Sequence, residues 1–251
     1  MGSPTAERRV VAIIPARMAA TRLPGKPLAE ICGKPMVQWV YERARSAKRV
    51  DEVLVATPDE EIADAVAAFD GRAVMTSPEH RSGTDRVAEA ACELLDDEDI
   101  VLNVQGDEPL VPPEAIDHLV DPLLEADAPE MTSLMCRVGP DEATSPNLVK
   151  VVVDRRGRAL YFSRSSIPFL RHEHAGVAIY GHIGLYGYSV KSLRSFSRLD
   201  PTPLELAESL EQLRALEHGW RVQMIETDFR PSGVDTEEDL GRVRRLLEGQ
   251  G

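Results

Sequence analysis

Between residues 10 and 104 the chain alternates four short apolar runs with stretches of helical pattern, and this alternation leaves few folds open. Residues 10–14 form a continuous, β-branched-rich run, the mark of a central parallel strand covered on both faces. A helix over 36–47, a strand over 52–57, a helix reaching 69, a strand over 72–76, a helix over 85–95 and a strand over 100–104 follow in turn. Parallel neighbours need a crossover, and a helical crossover packs back onto the sheet. Repeated strand and crossover steps therefore predict an α/β fold with a mostly parallel central sheet and helices on both faces.

Further along, 131–138, 148–153, 159–162 and 182–188 read as extended, with short connections and a turn at 154–157. Such spacing predicts antiparallel additions to the sheet. Thr57-Pro58-Asp59-Glu60 reads as a capping box with Thr57 as N-cap, and Thr202-Pro203-Leu204-Glu205 repeats that logic for a helix running to His218 and ended by Gly219. Leu206, Leu210, Leu213 and Leu216 give this helix an apolar stripe. Asp235 and Glu238 are expected to cap a last helix carrying Leu240, Val243 and Leu247. Without an evident linker, residues 10–251 read as a single domain behind a loose tail at 1–9.

Charge narrows the partners. With 29 Lys and Arg against 42 Asp and Glu, the net charge of −13 repels nucleic acid and anionic membrane surfaces. A small anion in a locally basic pocket stays compatible with it. Cys32, Cys92 and Cys136 show neither zinc spacing nor a disulfide framework, as expected of free thiols in a reducing compartment. The opening MGSPTAERR has no apolar core or cleavage site, and no stretch approaches membrane-spanning length, which sets the expectation of a cytoplasmic protein.

The basic residues gather where open α/β sheets bind ligands, in the loop after the first strand. Arg17, Arg22 and Lys26 place three positive charges there, and Gly25 permits close backbone approach. The loop is neither a GxxxxGK[ST] nor a GxGxxG sequence, and on composition it is an anion-binding loop or a solvated turn. Gln105-Gly106-Asp107-Glu108-Pro109 follows the fourth strand. Asp107 can reach a Mg²⁺ ion among phosphate oxygens or can cap a turn. Asp235 reads from its own surroundings as the cap of the last helix. His80-Arg81-Ser82-Gly83-Thr84-Asp85-Arg86 suits hydrogen bonding to a small planar base, or is a turn into a helix.

Taken together, Pro15-Ala16-Arg17, the run from Arg22 to Leu28 (RLPGKPL), Gly33-Lys34-Pro35-Met36, the 80–86 and 105–109 segments, and Gly233-Val234-Asp235-Thr236-Glu237-Glu238-Asp239-Leu240 resemble the signature of the sugar-acid cytidylyltransferases. Its members acting on 3-deoxy-D-manno-octulosonate (KDO), an acidic eight-carbon sugar, are the most similar, and the resemblance spans about residues 10–248. It implies a Rossmann-like nucleotide-diphospho-sugar transferase fold with an antiparallel acceptor-side extension. The implied reaction is transfer of CMP from CTP to the anomeric hydroxyl of KDO with release of pyrophosphate, by a cytoplasmic homodimer serving lipopolysaccharide assembly. Arg17 and Lys26 would stabilise charge on the triphosphate, with Arg22, Gly25, Ser82, Gly83, Arg86 and Gln105 completing the nucleotide site. Asp107 and Asp235 would hold Mg²⁺. For the acceptor, Arg164 would meet the sugar carboxylate, while His182, Tyr186, Glu211 and Gln212 would hold its hydroxyls. A cytidylyltransferase for another keto-acid sugar or a phosphonate, and a non-catalytic nucleotide-binding protein, are the alternatives.

Overall fold

A computed structural model describes residues 8–19, 23–172 and 176–249. Among them nine strands form one sheet: β1 (Val10–Pro15), β4 (Glu52–Thr57), β5 (Ala73–Met75), β6 (Ile100–Asn103), β7 (Met131–Val138), β8 (Lys150–Val153), β9 (Ala159–Ser163), β10 (Ile179–Ser189) and β11 (Val222–Glu226). Strands β2 (Glu30–Ile31) and β3 (Lys34–Pro35) make a separate hairpin in the loop after β1, turning on Cys32 and Gly33, both at positive φ. The helices are α1 (Met36–Arg45), α2 (Glu60–Ala68), α3 (Gly83–Leu94), α4 (Pro113–Asp117), α5 (Val190–Phe196), α6 (Pro203–Glu208), α7 (Gln212–Glu217) and α8 (Glu237–Glu248).

The order β11-β7-β10-β6-β1-β4-β5 puts β1 between β6 and β4, parallel to both. Its apolar run is continuous because both faces are covered: Val10, Ala12 and Ile14 enter one core cluster, Val11 and Ile13 a second. The sheet is mostly parallel, and β10 runs against both β6 and β7. The β8–β9 hairpin adds beyond β10, its turn held by Asp154 Oδ1 accepting from the main-chain N–H groups of Arg156 and Arg158. These are the expected antiparallel additions. No helix among the described residues is long and apolar enough to cross a membrane.

Three local expectations fail, each because a side chain is used elsewhere. Helix α2 begins after Asp59 rather than Thr57, since Thr57 Oγ1 accepts from Asp59 N at 3.1 Å in a turn of its own. The Asp59 carboxylate then reaches across to accept from Met18 N at 2.7 Å, anchoring the loop after β1. The helix expected over 203–218 breaks at Ser209, which adopts φ 52°, into α6 and α7. Leu206 consequently faces solvent at 68% exposure while Leu210 and Leu213 are buried. Helix α8 is capped by Thr236, which accepts from Asp239 N while Asp239 Oδ2 accepts from Thr236 N. Asp235 and Glu238 are not its caps.

Candidate active site

The carboxyl ends of the adjacent strands β1 and β6 open into a cleft, as the rule for open α/β sheets requires. After β1 come Ala16 and Arg17; after β6 come Gln105, Gly106 and Asp107. The two loops touch closely, for a Cβ on Gly106 would stand 3.0 Å from the Pro15 carbonyl oxygen. A third loop, ahead of α8, is spliced onto the second by two bonds. Val234 N donates to Asp107 O at 2.9 Å and Ser232 N to Glu108 Oε2 at 3.1 Å.

Lys26 stands at the junction. Gly25, at φ 68°, turns the chain into a short 3₁₀ helix (Lys26–Leu28) that sends the lysine inward. Its Nζ donates to Asp107 Oδ2 at 2.7 Å and to Asp235 Oδ1 at 2.9 Å. Burial alone pulls the ammonium pKa down, but the Asp107 and Asp235 carboxylates outweigh it and hold the group charged above its ordinary value. Behind them Glu108 is pushed up to about 8, by burial first and the Asp107 charge second, against the pull of the Ser232 N–H and Lys26.

Two carboxylates within reach of one ammonium also suit one hard cation. Among the described residues no group of three or more His, Cys, Asp or Glu side chains is arranged to hold a metal. Any cation held here would meet the Asp107 and Asp235 carboxylates, and phosphate and water oxygens would have to complete its shell, as Mg²⁺ prefers.

Three adjoining cavities make up the cleft. The first, about 270 Å³, is bounded by Arg17, Lys26, Gln105, Asp107 and Asp235. A smaller one of about 120 Å³ lies between Arg17 and the start of α3, where Ser82, Gly83 and Arg86 line it. Ser82 is the N-cap of α3, its Oγ accepting from Asp85 N at 3.1 Å. Arg86 is buried, bonds Thr76 Oγ1 and donates to Ser77 O at 3.1 Å; burial, then the nearby Arg17, lower its pKa. The third, about 350 Å³, opens on the other side of Asp107 and is lined by Gln105, Gly184, Tyr186, Glu211 and Gln212. Gln105 borders all three.

Most of the predicted residues thus converge: Arg17, Lys26, Ser82, Gly83, Arg86, Gln105, Asp107 and Asp235 around the first two cavities, with Gly25 next to Lys26 outside their lining, and Tyr186, Glu211 and Gln212 around the third. Burial raises the Glu211 pKa, opposed by the Thr84 hydroxyl, the Arg214 charge and the Ser82 hydroxyl. Arg22 lies outside the described residues. Arg164 is not brought to the cleft: its guanidinium donates to the carbonyls of Glu208, Pro146 and Ser209, bracing the break between α6 and α7. His182 is set one layer back, buried between Ser133 and Gln212.

Several contributors escaped the sequence reading. Glu108 carries no role in its motif, and Asp59 stands only as an interior residue of the Thr57–Glu60 capping box. Asn103 joins Gln105 to the head of α3, through Gln105 Nε2 to Asn103 Oδ1 at 3.2 Å and Asn103 Nδ2 to Thr84 Oγ1 at 3.3 Å. Nothing in the local sequence marks Asn103, because its partners lie on different elements.

Residues 11–226 match the family described as cytidylyltransferase. The chain is 52% identical over 250 residues to 3-deoxy-manno-octulosonate cytidylyltransferase of Geobacter metallireducens, covering 95% of this chain and 98% of that one. It is 49% identical over 244 residues to the protein of the same name from Syntrophus aciditrophicus, covering 96% and 98%. Among solved structures, a CMP:2-keto-3-deoxy-manno-octonic acid synthetase complexed with CTP superposes with TM-score 0.92 at 42% identity, over 97% of this chain and 100% of that one.

Proposed function

From the premise that this chain belongs to the cytidylyltransferase family, we propose that it transfers CMP from CTP to the anomeric hydroxyl of KDO, giving CMP-KDO and pyrophosphate. The observation that carries the reading is the meeting of Lys26 with Asp107 and Asp235 at the ends of β1 and β6, beside Arg17 and a polar cavity. The relatives named for the KDO reaction match along nearly their whole length.

The triphosphate takes the basic cavity, its oxygens meeting Lys26 and Arg17. The base enters the small cavity between Ser82, Gly83 and Arg86, whose volume of about 120 Å³ suits a single ring. The acceptor occupies the third cavity, its hydroxyls facing Tyr186, Glu211 and Gln212. Asp107 borders both the first and third cavities, so it stands where donor and acceptor meet. The acceptor hydroxyl oxygen bonds to the α-phosphorus as the bond to the oxygen bridging to the β-phosphate breaks; pyrophosphate carries off the electron pair and the hydroxyl proton passes to solvent. Arg17 and Lys26 stabilise the charge that develops, and positioning supplies most of the remaining acceleration. Mg²⁺, held by Asp107 and Asp235, would supply charge neutralisation on the phosphates and lower the acceptor hydroxyl's pKa.

Pyrophosphate release in the presence of Mg²⁺, crossing CTP and UTP with KDO, other keto-acid sugars and small phosphonates, tests this. CTP with KDO should give the highest kcat/KM. Preference for another acceptor would replace the KDO assignment, and no release with any pair would overturn the enzymatic reading.

A further inference from the structure

Behind Tyr186 and Gln212 in the wall of the third cavity stand two buried polar side chains, His182 and Ser133, that do not line it. Tyr186 Oη lies 3.4 Å from Gln212 Oε1, Gln212 Nε2 lies 3.4 Å from His182 Nδ1, and His182 Nε2 lies 2.9 Å from Ser133 Oγ. Ser133 Oγ is also 2.8 Å from Leu185 O and 3.2 Å from Ile183 O. Ser133 is fully buried on β7 and pairs with Tyr186 where the β7–β10 register jumps, Ile183 pairing with Leu134 and Tyr186 with Ser133. Residues 184 and 185 are the excess, a bulge that aims Gly184 and Tyr186 at the cavity.

A serine hydroxyl has a single proton to give. Given to His182, it would be withheld from the two bulge carbonyls, in a place where water cannot replace it. Given to Leu185 O, the shortest of its contacts, it leaves Ser133 to accept from His182 Nε2–H. Nδ1 is then a bare lone pair and takes a proton from the Gln212 amide nitrogen. That orientation turns Gln212 Oε1 toward Tyr186, whose hydroxyl must donate to it. The imidazole stays neutral throughout, since burial holds its pKa near 3, and Phe162 packs edge-on against it at 4.9 Å.

On the reading of this cavity as the acceptor site, we infer that Ser133 is a positioning residue that sets the site's hydrogen-bond polarity. By fixing the His182 tautomer it presents Tyr186 to the ligand as a hydrogen-bond acceptor and the second amide proton of Gln212 as a donor. The cavity thereby selects ligands that offer a hydroxyl proton to Tyr186, as a polyhydroxylated acid does. With the opposite tautomer, Gln212 would flip and Tyr186 would become a donor. The tight links lie at the Ser133 end and the long ones at the cavity, so the remaining slack is where the ligand closes in.

The test combines kinetics of Ser133→Ala, Tyr186→Phe and the double variant with ¹⁵N NMR of the imidazoles in the unsubstituted protein. The His182 signal is identified by its loss in His182→Gln. Ser133→Ala should lower kcat/KM for the acceptor about tenfold, mainly through KM, and leave the KM for CTP within about twofold. In the Tyr186→Phe background the same change should cost less than about twofold more, because its effect runs through that hydroxyl. His182 should be the Nε2–H tautomer. Additive losses, an equal effect on CTP, or an Nδ1–H tautomer would each overturn the inference. The NMR result decides even where Ser133→Ala fails to fold. If the unsubstituted enzyme turns over no acidic sugar, the premise itself has failed.

Discussion

Lys26 Nζ lies 2.7 Å from Asp107 Oδ2, joining groups 81 residues apart in sequence. The same nitrogen is 2.9 Å from Asp235 Oδ1, 209 residues away, so one ammonium gathers both ends of the chain. The two carboxylates keep 33% and 43% of their surface exposed. Pairs this wet contribute about 0–1 kcal/mol each to stability. The arrangement therefore matters more for the charge it concentrates at one point than for holding the fold.

Lys26→Met separates these roles. The kcat/KM for CTP is expected to fall about 10²–10³-fold, the usual loss when a charge-stabilising group is removed, while the melting temperature barely moves. With the ammonium gone, the two carboxylates lose the positive charge they share at Lys26 and should bind Mn²⁺ more tightly in the absence of nucleotide. Titration calorimetry and steady-state kinetics on one preparation check both. An unchanged kcat/KM for CTP would remove Lys26 from the charge-stabilising role.

His182 sets an acid limit on stability. Its folded pKa, near 3, lies below the ordinary value of 6.5, so between those values the unfolded chain binds more protons. Stability must then rise with pH across this window and fall as pH drops below 6.5, by about 2 kcal/mol at pH 5 from this group. His182→Gln, less stable at pH 8 through lost packing on Phe162, should show a flatter decline from pH 6.5 to 5 in urea unfolding. Parallel declines for the two proteins would place the acid sensitivity elsewhere.

Local pattern reveals what local chemistry decides. The alternation of strands and helices, the burial of β1 on both faces and the crowding of basic residues after Pro15 were all legible, since each rests on neighbours in sequence. The break at Ser209 was not. It is held from β9, where Ser163 Oγ donates to Glu208 Oε1 at 2.6 Å and Arg164 Nε to Glu208 O at 2.8 Å, partners more than forty residues away. Asp59 looked like part of a cap for the same reason, its partner Met18 being 41 residues distant. The family signature pointed to Asp107 and Asp235, but their meeting at one lysine depends on the splice between the 105–109 and 232–236 loops.

Gly106→Ala probes how closely the two phosphate-side loops must approach. The added Cβ would sit 3.0 Å from the Pro15 carbonyl oxygen and 3.4 Å from Ile14 Cγ2, both fixed by β1. The backbone has to yield, at a cost of about 1–3 kcal/mol. Because Pro15 and Gly106 line the same cavity, the displacement should raise the KM for CTP more than that for the acceptor. Chemical denaturation and KM measurements check the two effects. A variant with both KM values unchanged would show that the contact is not needed for nucleotide binding.

The Glu205–Arg214 pair should govern the acceptor side in the same way. Both side chains are 11% exposed, Arg214 Nε donates to Glu205 Oε2 at 2.8 Å with Nη2 on the other oxygen, and the guanidinium lies over Phe196 at 5.0 Å. Burial would raise the Glu205 pKa, yet the bonds from Arg214 and from Thr202 N bring it below the ordinary value. Glu205→Ala strands a buried guanidinium, which costs about 3–5 kcal/mol. Glu205→Gln keeps hydrogen-bonding capacity and should cost less. Since the pair clamps α6 to α7 on either side of Glu211, the KM for the acceptor is expected to rise in both variants while the KM for CTP holds. Equal unfolding free energies for the Ala and Gln variants would show that the hydrogen bonds a side chain at 205 makes to Arg214 contribute nothing to stability.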